Sequence, residues 1–155
     1  MLLSYLTARD CEIITTQKLI TVIERVIAVV ETLPKFHGNL YNWYDTASLS
    51  ILPPGFVSTV DSGNLACCFV ALREGIIDYR EEDKRAGKLI EKIDRLIEET
   101  DLSVFYDAHK DLFSIGWDSA ARQMSGSHYD MLMSEEMCIR DSLVDVWHRR
   151  LPVQG

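Results

Sequence analysis

The sequence predicts an all-α fold of paired helices with one short β-hairpin. Three observations lead there. Apolar residues recur at intervals of three and four through three long stretches, Thr15 to Pro34, Asp61 to Ile77 and Arg85 to Glu99, the spacing that gathers one helical face. The first two stretches are apolar around most of their circumference and the third carries one narrow stripe, so broadly buried and half-buried helices alternate. Only Leu102 to Trp117 breaks the helical period. Such alternation suits a barrel of helix pairs, and it suits an irregular helical bundle equally.

Met1 to Arg9 is apolar and reads as the last turns of a helix whose beginning is absent. Thr15 or Thr16 caps the second helix, whose Leu19, Ile20, Ile23, Ile27 and Val30 share a face that Val22, Val26 and Val29 widen. It ends at Pro34, because a residue before proline is pushed out of helical geometry. A long loop from Lys35 to Thr59 follows. Asp61 or Ser62 caps the third helix, built on Leu65, Phe69, Leu72 and Ile76, so free N–H groups and a positive dipole end are expected at the loop. The fourth helix sets Leu89, Ile90, Ile93, Leu96 and Ile97 on one stripe, and its other face is charged and solvated. Val104 to Tyr106 and Leu112 to Ile115 read as a hairpin over the polar turn Asp107 to Asp111. Ser127 or Asp130 opens a last helix with Tyr129, Leu132 and Met133.

The chain is organised around Tyr41 to Leu65, which is polar and aromatic at once. Structureless loops beyond about 12 to 15 residues are uncommon in compact domains unless they bind something or are linkers. Tyr41, Trp43, Tyr44 and Phe56 are costly to leave in water, and Pro53-Pro54 stiffens the backbone, so a linker is the poorer reading. Flat rings interleaved with Asn42, Asp45, Thr46, Asp61, Ser62 and Asn64 suit a sugar, whose hydroxyls need amides and carboxylates and whose C–H faces need aromatic rings.

Composition narrows the alternatives. A net charge of −8 and a pI near 4.9 disfavour nucleic acid and anionic membrane surfaces, which demand basic patches. Neutral glycans remain compatible. Cys67 and Cys68 are adjacent and Cys11 and Cys138 isolated; without a C-x-x-C spacing they read as packing residues in a reduced, cytoplasmic setting. His37, His109, His128 and His148 lack ligand spacing, so no metal is expected, and no cofactor motif occurs. No stretch has the 18 or more apolar residues of a membrane helix. A larger parent attached to the inner membrane is compatible with all of this.

NWYDT, LPP, VSTVDSGNLA, FYDAHKDLFSIGWD and SHYDMLMSE, in that order, resemble the glycoamylase-like domain of cyclic β-1,2-glucan synthases and related bacterial glucanases, from about Leu2 to Glu135. The resemblance implies a partial α/α-barrel acting on β-1,2-linked glucose chains, with residues 1–135 the N-terminal part of the domain and the family's catalytic acids in motifs further downstream. After Glu135 the similarity stops. Glu136-Met137-Cys138-Ile139-Arg140-Asp141-Ser142 looks like translated sequencing-adapter sequence, and residues 136–155 are expected to be non-native.

Glycosidic cleavage uses two carboxylates. Asp130 and Glu135 are the weak candidates here for such a role, Asp107 reads as a turn residue, and Asp61 reads as either a cap or a sugar ligand. Asn42, Trp43, Tyr44, Asp45, Asp61, Ser62, Asn64, Trp117, Tyr129 and Asp130 are expected in the glucan-binding wall, with Trp43 and Trp117 as stacking platforms. The expected ligand is β-1,2-glucan or a related glucose oligosaccharide, bound together with the remainder of a parent hydrolase or transglycosylase; the fragment alone is expected to be inactive. The rival reading is a self-contained helical carbohydrate-binding or interaction module without catalysis.

Overall fold

The structure, a computed structural model, describes residues 1–129; Asp130, Glu135 and residues 136–155 lie outside the described residues. The described residues divide into two compact units, one of residues 1–33 and 68–100, the other of residues 34–67 and 101–129.

The first unit is helical. It holds α1 (Leu2–Asp10), α2 (Thr16–Thr32), the part of α3 (Thr59–Ile77) from Cys68 onward, and α4 (Arg85–Glu99). Thr15 caps α2 by accepting from the Lys18 N–H at 3.3 Å, and Leu33 turns extended just before Pro34. Leu19, Ile20, Ile23 and Ile27 of α2 are wholly buried, as are Leu72 and Ile76 of α3 and Ile93 of α4. Around the rim Arg85 meets Glu24 at 3.0 Å and Lys92 meets Glu31 at 2.6 Å. Pairs this exposed contribute about 0 to 1 kcal/mol each against about 1.5 to 3 kcal/mol for a buried Leu or Ile, so the apolar seam holds the unit. A polar cluster closes one end: Arg9 reaches Glu82 at 3.0 Å and lies 4.7 Å over the Tyr79 ring. The Tyr79 hydroxyl donates to Asp10, which pushes the phenol up to about 12.

The second unit is mostly irregular backbone stitched by short strands. In chain order these are β1 (Lys35–Phe36), β2 (Asn39–Leu40), β3 (Phe56–Ser58), β4 (Tyr106–Asp107), β5 (Leu112–Phe113), β6 (Gly116–Asp118) and β7 (Gln123–Met124), with a 3-10 turn at Ser103–Phe105. β1 pairs with β2 across His37-Gly38, both at positive φ (47° and 79°), as a two-residue hairpin turn that follows strand twist requires. β4 pairs with β5, and β3-β6-β7 form a three-stranded antiparallel sheet. The core is Val57, Leu102 and Phe105, with Phe36, Tyr41, Val60, Val104, Phe113, Trp117 and Met124 packed on it. Asn39, fully buried, fixes the hairpin: its amide nitrogen donates to the carbonyls of Phe36, His37 and Asp101 at 2.9 to 3.1 Å.

Two expectations are corrected here. The fold is not all-α, and it is not a partial α/α-barrel with one hairpin: four helices share the described residues with seven strands in three small sheets. Strands of two or three residues are too short for alternation to register in a sequence, and five of the seven are two residues long. The expected hairpin exists as β4 and β5, but two further sheets accompany it. Nor does a helix begin at Ser127, because His128 bridges Ser114 in antiparallel fashion and the Tyr129 N–H donates to the Phe113 carbonyl.

The sheet has one narrow point. Gly116 of β6 lies against β3 so closely that a Cβ there would run into the Val57 carbonyl oxygen and the Phe56 ring. Gly116→Ala is expected to destabilise the protein by about 1 to 3 kcal/mol, the range for overpacking. Thermal or urea unfolding measures it, and Gly87→Ala, where nothing lies within 4 Å, serves as the comparison.

Candidate functional site: an aromatic cleft at the start of α3

A cleft of about 360 Å³ opens in the second unit, lined by Leu40, Tyr41, Asn42 and Trp43 on one side and by Asp61, Ser62 and Leu65 on the other. That volume falls in the range of small-molecule sites. One wall is the chain leaving β2. The Asn42 N–H donates to the Phe56 carbonyl at 2.8 Å, and the Asn42 side-chain oxygen accepts from the Ser58 N–H at 3.1 Å. Asn42 is thereby clamped to β3, and its amide nitrogen makes no hydrogen bond among the described residues. Trp43 is next, and 64% of it is exposed. Its carbonyl accepts from the Leu52 N–H at 3.0 Å, and Tyr44 bridges Ile51, so the loop carries its own pairing.

The other wall is the first turn of α3. The Ser58 hydroxyl accepts from the Asp61 N–H at 3.2 Å, the Ser62 hydroxyl donates to the Ser58 carbonyl at 2.7 Å, and the Thr59 N–H donates to the Ile115 carbonyl at 3.1 Å. The cap is therefore Ser58, three residues ahead of Asp61, rather than Asp61 or Ser62. The free N–H groups expected at this end are partly spent. The sequence does carry the signal, Ser58-Thr59-Val60-Asp61, a capping-box spacing with a shorter acid than usual. With the cap supplied by Ser58, the exposed Asp61 carboxylate has no partner among the described residues.

The cleft thus brings together Asn42, Trp43, Asp61 and Ser62 from the expected wall, and adds Leu40, Tyr41 and Leu65. Five expected residues stand elsewhere. Tyr44 is a brace: its hydroxyl donates to the Pro34 carbonyl at 2.7 Å and accepts from the Tyr41 N–H at 2.8 Å, and burial pushes its phenol up. One Asp45 carboxylate oxygen accepts from the N–H groups of Ala47 and Ser48 and from the Ser48 hydroxyl at 2.6 to 3.0 Å. These bonds, led by the Ser48 N–H, hold Asp45 below the usual carboxylate range. Trp117, half-buried, is stacked on Phe36, 4.6 Å between centroids and 10° between planes, against the core. Asn64 is exposed on α3 and does not line the cleft. Tyr129 bonds to β5 through its backbone, and Asp130 lies outside the described residues.

Asp107 is a turn residue that also receives a histidine. It accepts from the His109 N–H at 3.0 Å and lies 3.0 Å from His128 Nε2, and the His109 bond is the main cause of its lowered pKa. Sequence reasoning missed this pair, since 21 residues separate its members and no motif links them.

Chemically the cleft, as the described residues form it, suits hydrogen bonding and ring stacking. It presents an indole, a phenol, an amide and one carboxylate, whereas cleavage of a glycosidic bond calls for two carboxyl groups. Among the described residues no group of three or more His, Cys, Asp or Glu side chains could hold a metal ion. No helix among them is long and apolar enough to cross a membrane.

With this geometry in hand, the chain compares with a protein of glucan synthesis. Cyclic beta-(1,2)-glucan synthase NdvB of Rhizobium meliloti (strain 1021) is 44% identical to it over 80 residues, 52% of this chain and 3% of that protein's length. The similarity supports a relationship to that enzyme over the aligned stretch. No family model matches the chain.

The Asp45 turn yields a prediction. An acid whose folded pKa is depressed stabilises its turn above the unfolded value of about 3.9, and that stabilisation is lost as pH falls through the lower folded value. Protection of the Ala47 and Ser48 amides from hydrogen exchange is therefore expected to drop below about pH 4, and Asp45→Ala should abolish it at neutral pH. Unchanged protection in that variant would show the turn to be held otherwise.

Proposed function

We propose that this chain contributes a glucan-binding wall to a larger carbohydrate-active polypeptide that cleaves or transglycosylates β-1,2-glucan. The observation that carries the reading is Trp43: 64% exposed, it lines the cleft beside Asn42 and Asp61 and offers a flat apolar face next to hydrogen-bonding groups. Trp is highly buried on average and is enriched where proteins make interfaces. The order of the motifs supports a glycoamylase-like origin for the stretch, and the similarity to a cyclic glucan synthase supports β-1,2-linked glucose as the ligand. The remainder of the parent polypeptide supplies the acids that perform the chemistry.

Titration calorimetry with β-1,2-linked gluco-oligosaccharides tests this. The wild-type chain is expected to bind, and Trp43→Ala to weaken binding about tenfold, the upper part of what an aromatic contact contributes beyond its area. Its stability should change by no more than about 0.5 kcal/mol, since the ring is exposed. Equal affinity in the variant, or no binding by the wild type, defeats the proposal. The isolated chain should release no reducing sugar from β-1,2-glucan.

A further inference from the structure

Among the described residues that line the cleft, Asp61 is the only one with a charged side chain. We infer that Asp61 confines the cleft to uncharged, hydroxyl-rich saccharides and turns away anionic ones such as uronates. The inference rests on the glucan reading and adds to it a selection rule and the residue that enforces it.

The hydrogen-bonding inventory of the cleft points the same way. Asp61 is an acceptor, and its carboxylate is not consumed by capping, because Ser58 performs that task. The proton of the Ser62 hydroxyl goes to the Ser58 carbonyl, so towards a ligand that hydroxyl acts as an acceptor. The side-chain oxygen of Asn42 is occupied by the Ser58 N–H, so Asn42 offers only its N–H donors. Among the described lining residues a ligand meets acceptors at Asp61 and Ser62 and donors at Asn42 and Tyr41, and no cation. Neutral hydroxyls donate and accept and satisfy both sets. An anionic group placed in the cleft meets an unneutralised carboxylate at close range. Nor does the positive end of α3 rescue it: the Thr59 and Asp61 N–H groups are taken, and Asp61 itself offsets the dipole in the first turn.

The experiment pairs sophorotriose with the same trisaccharide oxidised to carry a terminal glucuronate, and maltotriose with its glucuronate counterpart, each titrated at low and high salt. Wild type is expected to favour the neutral sugar by about tenfold or more at low salt, the repulsion of two charges a few ångströms apart at intermediate dielectric. Salt should shrink that preference, because an exposed carboxylate is screened. Asp61→Asn should bring the two affinities within about twofold of each other and weaken the neutral sugar several-fold, as loss of a charge-assisted bond does. Asp61→Glu should keep the preference. Equal binding of neutral and anionic sugars by wild type, or a preference that survives Asp61→Asn or ignores salt, overturns the inference. Should Asp61→Asn fail to fold, Asp61→Glu and the wild-type salt series still decide. Discrimination within the maltotriose pair alone sinks the β-1,2-glucan reading and leaves the selection rule standing; binding of none of the four sinks both.

Discussion

The second unit depends on how β3 turns into α3 at Ser58. That residue is buried, and every polar group on it is committed: its N–H to Asn42, its hydroxyl to the Asp61 N–H, its carbonyl to the Ser62 hydroxyl. It also lies in register with Gly116 across the sheet. One residue therefore ends a strand, starts a helix and ties the aromatic loop to both. Buried polar groups left unpaired cost about 1 to 3 kcal/mol each, so any rearrangement that moved the loop from the helix would leave several of them stranded at once. The cleft wall is cross-tied for that reason, although much of it is nominally loop.

The helices were legible because their signals are long. Leu19, Ile20, Ile23 and Ile27 repeat over more than two turns and all are fully buried, and Pro34 and Thr15 mark the ends of α2 by local sterics and capping. The second unit was not legible as structure. Its pairings join residues far apart in sequence, such as Val57 with Trp117 and Trp117 with Met124, and each strand is shorter than one clear alternation. The cap of α3 was readable in principle, since Ser58 precedes Asp61 by three residues, but the acid drew the assignment that belonged to the hydroxyl.

Part of the candidate site was visible for a chemical reason. Asn42, Trp43, Asp61 and Ser62 are of types that serve sugars, and the structure collects them around one cleft. The same reasoning placed Tyr44 and Asp45 beside them, and both instead maintain the loop. Residue type alone does not separate a side chain that contacts a ligand from one that holds its neighbour in place. What separates them is whether its hydrogen-bonding capacity is already consumed. Asp45 accepts three bonds from its own turn, whereas Asp61 accepts none from the described residues.

The two tryptophans make the same point for apolar surface. Trp117 pairs with Val57 in the sheet and stacks on Phe36, so its ring serves the core. Trp43 follows Asn42, whose side chain is fastened to Ser58 at a bend after β2, and its own carbonyl is held by the Leu52 N–H. The backbone on both sides of the indole is therefore tied, and moving the ring inward would cost those bonds, each worth about 0.5 to 1.5 kcal/mol net. The ring stays 64% exposed where it lines the cleft.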